Sequence, residues 1–257
     1  MNNGSAFDVL NPDGSFPIVF TCEHASCALP AEYQGLGMSV EEICQHIGWD
    51  IGARAVVESL TQALDAPAVC SRYSRLLIDC NRDLCDHDLI VPRSDGIEIP
   101  YNQNLSSEER QKRIAYFYQP YHEAVDRLIA SREGKKNLTL WSIHSFTPVL
   151  GKKERQFDIG VLFNRYDDLA QEVGRLLHHE GYIVRYNEPY SGYDGLIFSA
   201  RNHGERHGLV YLELEINNRL IAEPTEAAQA GRSISRVFHE LFAERRVEAS
   251  DGSEFRA

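Results

Sequence analysis

The chain lacks any apolar run approaching the ~20 residues that span a bilayer, so none of its 257 residues is expected to cross a membrane. It also lacks a basic excess: 38 acidic residues against 26 Lys and Arg give a formal charge of −12. That balance argues against nucleic acid or an anionic membrane as the main partner and leaves small substrates open. None of the six cysteines, Cys22, Cys27, Cys44, Cys70, Cys80 and Cys85, stands in C-x-x-C spacing, which excludes a zinc knuckle and a thioredoxin-type motif. The opening MNNGSAFDVLNPDGS has no basic segment followed by an apolar one. A cytoplasmic protein with reduced thiols is therefore the expectation. Internal repeats are absent as well, and the length suits one α/β domain over residues 1–257. Nothing in the pattern sets an oligomeric state.

What is present is an alternation of apolar runs and helical patterns. Ile18 to Phe20, Leu76 to Ile78, Leu138 to Ile143, Ile159 to Phe163, Tyr182 to Tyr186 and Leu209 to Ile216 are expected strands, so the fold class is α/β with a mostly parallel, covered sheet. Ser39 with Glu42, and Ser106 with Glu109, have capping-box spacing. The second opens a helix whose buried face is marked by Phe117, Tyr121, Ala124 and Leu128. Asp168 to Glu180 predicts a helix closed by Gly181, Thr225 to Phe242 predicts the last helix, and Ser250 to Ala257 a frayed tail. Two long loops, 83–103 and 187–208, are expected to wall a pocket.

In an open parallel sheet the ligand lies beyond the carboxyl ends of the strands. His24 follows the first expected strand and His144 follows another in the same sense, so two imidazoles can meet above one sheet edge. A hydrolytic zinc site needs three protein ligands and an open position. Asp50, in GWDIGARAVVESL, is the third candidate, although an Asp there serves equally well as a helix N-cap. Glu23 competes for the same role, but neighbours on an extended segment point to opposite sides. Each histidine taken alone is more often a structural residue.

The strand LVYLELEINN puts Leu209, Tyr211, Glu213 and Glu215 on one face. Carboxylates on a strand patterned for burial need partners. The plain alternative is an edge strand with one solvated face. The functional one makes Glu215 the general base that takes a proton from the attacking water and passes it to the leaving nitrogen, with Glu213 beside it. In SRYSRLLIDCNRD, Arg75 precedes an expected strand, and Asp79, Asn81 and Arg82 end it. Guanidinium groups grip carboxylates through two parallel hydrogen bonds, so Arg82, and with less weight Arg75, suits a small anionic substrate, a surface salt bridge being the bland alternative. Of the remaining histidines, His122 suits a structural role and His178 with His179 a helix C-terminus. Arg201, His203 and His207 lie in a long loop, where they can touch a substrate or nothing.

Taken in order, TCEHAS, GWDIGA, YSRLLIDCNRD, SIHSF and LELEINNRL resemble the N-formylglutamate amidohydrolase family over about residues 16 to 242. The resemblance implies a three-layer α/β/α fold of the phosphorylase/hydrolase type, shared with zinc carboxypeptidases and amidases. It also implies a Zn2+-dependent (or other divalent-metal) cleavage of N-formyl-L-glutamate to glutamate and formate in histidine breakdown. Residue by residue it implies His24, Asp50 and His144 at the metal, Glu215 as acid/base, and Arg82 with Asn81 near substrate. The chain departs from the pattern in having Glu23 before the first histidine and Asn218 ahead of Arg219. It has Cys27 where a carboxypeptidase-type His-x-x-Glu pair would put an acid. An amidase acting on another amide, such as a peptidoglycan fragment, and a non-catalytic binder of a small acidic metabolite stand as alternatives.

Overall fold

A computed structural model describes residues 5–132 and 134–250, with side chains up to 244. The expectation for the tail beyond Ser250 lies outside the described residues. Strands β1 (Phe7–Leu10), β2 (Ile18–Cys22) and β3 (Ala68–Ser71) precede a small hairpin of β4 (Arg93–Ser94) and β5 (Ile97–Glu98). The long β6 (Thr139–Phe146) is followed by a second hairpin, β7 (Val149–Leu150) and β8 (Lys153–Glu154), then by β9 (Ile159–Leu162), β10 (Val184–Tyr186) and β11 (Val210–Asn217). Seven of these strands form one sheet in the order β1-β3-β2-β6-β11-β9-β10. Strands β3, β2, β6 and β11 run in parallel, β10 is parallel to β9, and the β1–β3 and β11–β9 pairs are antiparallel. The carboxyl ends of four central strands therefore share one edge, and that edge is where the site is built.

Helices cover both faces. On one side, α2 (Ala53–Leu64), α5 (Asp167–His179) and α7 (Pro224–Ser250) bury Val56, Leu60, Val173, Leu177, Ile234 and Phe238 against Phe20, Trp141 and Leu212. The Trp141 and Phe238 rings meet edge to face at 4.8 Å. On the other, α4 (Gln119–Ala130) and α6 (Phe198–His207) pack Tyr121, Val125, Leu128 and Ala200 against Val19, Leu140 and Tyr211. Those two layers around a mixed, mostly parallel-paired sheet make the α/β/α class that the alternation of patterns predicts.

Local rules held where they rest on backbone chemistry. Ser39 accepts from Glu42 N and Glu42 from Ser39 N, a full capping box opening α1 (Val40–Ile43), while Ser106 caps α3 (Ser107–Arg113) through Glu109 N. Gly181, at φ 94°, ends α5 in the left-handed conformation, with its amide on His178 O and that of Tyr182 on Leu177 O. Phe117, Tyr121, Ala124 and Leu128 are all buried.

Three expectations are corrected. Leu76 to Ile78 is not a strand: the segment is a buried turn, its amides spent on Ser74 Oγ and Ser74 O, and Asp79 N bonds Leu89 O. An apolar triplet signals burial, and here burial comes without sheet pairing. Residues 198–207 are helix α6 rather than loop, so Arg201, His203 and His207 stand on a helix. Cys27 and Cys44 form a disulfide, so the chain is not wholly reduced; Cys22, Cys70, Cys80 and Cys85 are free. Among the described residues no helix is long and apolar enough to cross a membrane.

Candidate metal centre and active site

Strands β2 and β6 are neighbours in parallel register, Thr21 opposite Ser142. His24, two residues past the end of β2, and His144, near the end of β6, are thereby brought together, with ring centroids 4.8 Å apart. Asp50 arrives from the segment before α2, tied there by its own amide, which donates to His24 O at 2.9 Å. That helix opens at Ala53 after Gly52, and Asp50 is not its side-chain cap. The Asp50 carboxylate instead turns to the histidines: Oδ2 lies 2.7 Å from His144 Nδ1 and 3.5 Å from His24 Nδ1, and accepts from Ser145 N at 3.1 Å. One ligand atom from each of His24, Asp50 and His144 falls within 4.8 Å of the others, all buried.

The far nitrogens are also engaged. His24 Nε2 donates to Asp79 Oδ1 at 2.6 Å, and Asp79 is held by Arg75 Nη2 at 2.9 Å and Asn81 N at 2.8 Å. His144 Nε2 donates to Glu23 Oε2 at 3.0 Å, and Glu23 accepts from Ser142 Oγ at 2.6 Å and Tyr121 OH at 2.9 Å. A carboxylate can only accept, so each Nε2 carries a proton; each Nδ1 faces the centre, where that of His144 also meets a carboxylate, Asp50 Oδ2 at 2.7 Å. Metal-ligating histidines are oriented by this kind of outer carboxylate. His24 Nδ1 is buried and makes no hydrogen bond among the described residues. Two imidazole nitrogens and a carboxylate, one nitrogen left bare, suit a zinc-type ion. Glu23 thus sits behind His144, while Asp50 occupies the side where both Nδ1 atoms point.

The charges agree with this placement. Burial opposes the ionised form of Asp79, yet His24 and Arg75 hold it well below the usual carboxylate range. Burial likewise opposes charge on His144, but Glu213, Asp50 and Glu23 outweigh it and raise the imidazole well above its ordinary value.

β11 is an interior strand, so the edge-strand alternative fails. Glu215 pairs in register with His144 and Glu213 with Ser142, placing both carboxyls on the same side of the sheet as the imidazole. Glu213 Oε2 lies 3.6 Å from His144 Nε2, and burial first, with Glu23 and Asp50 adding, pushes its pKa up to about 7. Glu215 is raised well above the carboxylate range, again by burial foremost, and its buried Oε2 has no hydrogen-bond partner. Opposite Glu215 in β9 stands Gly160. A Cβ there would come within 2.0 Å of Glu188 O, so only glycine lets the segment carrying Tyr190 descend beside Glu215.

His24, Asp50, His144, Glu213 and Glu215 line one cavity of about 140 Å3, together with Arg75, Asn81 and Arg82. Arg82 Nη1 donates to Asn81 O at 3.0 Å, and among the described residues Arg82 forms no ion pair. Asn81 is fixed by Ser199 N, which donates to its Oδ1 at 2.9 Å. Arg75 lines the cavity but is committed to Asp79, and its Nη1 lies 3.6 Å from Asp50. Arg201 is not among the lining residues. His203 and His207 both bond Asp126 Oδ1, at 2.7 and 2.9 Å, and His203 Nε2 faces His122 Nδ1 at 2.8 Å; these side chains join α4 to α6 away from the site. Sequence patterns passed over Tyr121, Ser142 and Tyr190, and gave Asp79 and Glu23 no supporting role. Only the adjacency of Asp79 to Asn81 and Arg82 pointed toward it.

Among curated proteins no significant match is found. Among solved structures, the gene product Atu2144 from Agrobacterium tumefaciens is 33% identical, over 95% of this chain and 97% of that one, with a TM-score of 0.90. The N-formylglutamate amidohydrolase from Ralstonia eutropha JMP134 is 20% identical over 94% of this chain and 99% of that one, with a TM-score of 0.73, a likeness of fold. The family model described as N-formylglutamate amidohydrolase matches residues 16–222, which include every candidate ligand and both carboxyls of β11, and the chain belongs to that family.

Proposed function

We propose that the chain is a metal-dependent amidohydrolase of N-formyl or N-acyl amino acids, with N-formyl-L-glutamate, cleaved to L-glutamate and formate, as its principal substrate. The observation that carries this reading is the convergence of His24 Nδ1, His144 Nδ1 and Asp50 Oδ2 beside the unpartnered Glu215 carboxyl. Zn2+ or another divalent ion held by these three residues would polarise the amide carbonyl and acidify water.

The chain's own groups do the rest. Asp79 and Glu23 accept from the two Nε2 atoms and so turn both Nδ1 atoms toward the ion's place. Glu215 takes one proton from the attacking water and delivers it to the amide nitrogen as the C–N bond breaks; the water oxygen leaves in formic acid with its second proton, which passes to the freed amine to give formate. Burial, which raises its pKa above the usual carboxylate range, makes it a better acceptor for the water proton. Arg82, with no carboxylate within ion-pair distance among the described residues, anchors a substrate carboxylate, and Asn81 steadies the wall beside it. A place in histidine breakdown, in the cytoplasm, belongs to the same proposal and rests on the family alone.

The test is Glu215→Gln in zinc-loaded protein with N-formyl-L-glutamate. Zinc content should be unchanged and kcat should fall about 10²- to 10⁴-fold. Wild-type turnover in the variant would overturn the role of Glu215.

A further inference from the structure

The cavity that holds the candidate ligands does not end at Arg82. Its 140 Å3 is small beside the roughly 300–1,000 Å3 of most small-molecule sites. His46, Arg75, Arg82, Leu150 and Tyr190 line both this chamber and an outer one of about 440 Å3. The two are one cleft, with the carboxyl-rich reaction centre at its deep end.

The charges on the outer wall sort into pairs, with two exceptions. Asp79 is taken by His24 and Arg75. Asp95 faces His46 Nε2 at 3.3 Å, and Asp88 faces His87 Nε2 at 3.1 Å. Two guanidinium groups of the described lining have no carboxylate within ion-pair distance. One is Arg82, at the junction of the chambers. The other is Arg93, whose Nη2 donates only to Gly96 O at 3.2 Å. On a chain of net charge −12, two uncompensated cations in one cleft are a specific local arrangement.

Arg93 is also firmly mounted. It pairs with Glu98 across the β4–β5 hairpin, whose turn residues Asp95 and Gly96 both have positive φ. The hairpin's base is held by Ile99 N on Pro92 O at 3.0 Å and by Asn102 Nδ2 on Val91 O at 2.8 Å. Asn102 is itself fixed by the buried Arg113, which donates to its Oδ1 at 2.7 Å and to Leu77 O at 3.0 Å. Backbone so anchored fixes where the Arg93 side chain leaves the cleft wall, and the Gly96 O bond tethers its exposed guanidinium there.

We infer that Arg93 is a specificity residue that binds the far carboxylate of the proposed N-formyl-L-glutamate substrate. Arg82 takes the carboxylate nearer the scissile amide and Arg93 the farther one, each as a charge-assisted hydrogen bond. This deepens the proposed reaction and rests on it.

The test compares kcat/KM for N-formyl-L-glutamate and N-formyl-L-glutamine, which differ only in the far charge, in zinc-loaded wild type, Arg93→Ala and Arg93→Lys. The wild type should prefer the dicarboxylate by about tenfold or more, Arg93→Ala should bring the ratio close to one through KM, and Arg93→Lys should restore part of it. Circular dichroism checks that each variant is folded. Hydrolysis of both substrates without preference in the wild type, or a preference that survives in Arg93→Ala, overturns the inference and leaves the proposed reaction standing. Hydrolysis of neither substrate overturns the reaction and the inference with it.

Discussion

Replacing Glu23 by Gln tests how the site is held together. Glu23 is 1% exposed, and its Oε2 receives His144 Nε2 at 3.0 Å and Ser142 Oγ at 2.6 Å. Glutamine keeps the shape and removes the charge. Its amide NH2 must face Tyr121, whose hydroxyl can turn to accept, because toward Ser142 and His144 it would meet donors. The His144 hydrogen bond then survives as a neutral one. A hydrogen bond to a charged group is worth about 1.5–3 kcal/mol and a neutral one about 0.5–1.5. The difference of about 1–2 kcal/mol falls on the imidazole's strength as a ligand, roughly a five- to thirtyfold loss of zinc affinity. Competition against a chromophoric chelator, with folding followed by circular dichroism, measures it. Affinity unchanged within about twofold would refute the idea that Glu23 supports His144. Complete loss of zinc from a folded variant would make Glu23 itself a ligand.

Two further predictions concern groups outside the cavity. Burial opposes the charge on Asp126, but hydrogen bonds from His203 and His207 outweigh it and hold the carboxyl well below its usual range. A depressed carboxyl adds stability above its unfolded pKa of about 3.9, and that stability is lost as pH falls through the range below. Asp126→Asn should therefore lower Tm near neutral pH, with the gap from wild type closing toward about pH 2; a gap independent of pH would contradict the network. Thiol titration of denatured, unreduced protein should find the four free cysteines and, after reduction, all six; six before reduction would contradict the Cys27–Cys44 bond.

Much of the site could be read in the sequence because it hangs on strand ends. His24 and His144 follow apolar runs that pair in parallel, and period-2 alternation places Glu213 and Glu215 together. What a linear pattern cannot carry is the partner of a side chain. Asp79 and Glu23 adjoin other candidates in sequence, yet their work is done on imidazoles, one of them 121 residues away in the chain. Leu76 to Ile78 looked like a strand because its apolar residues are buried, but its backbone is satisfied by turns. Helix α6 was hidden for the opposite reason: SARNHGERH has little apolar periodicity, and its buried face is built from Ala200, His203 and Gly204, the last pressed against the Tyr211 ring. Cys27 and Cys44, 17 residues apart, follow no spacing rule and meet only through the fold.

The central claim is that His24, Asp50 and His144 hold a catalytic metal. Elemental analysis of purified wild type, His24→Ala and His144→Ala, each checked for folding, addresses it most directly. The account predicts about one zinc per wild-type chain and none in either variant. A wild-type protein that takes up no zinc when it is supplied, or variants that keep it, would contradict the account.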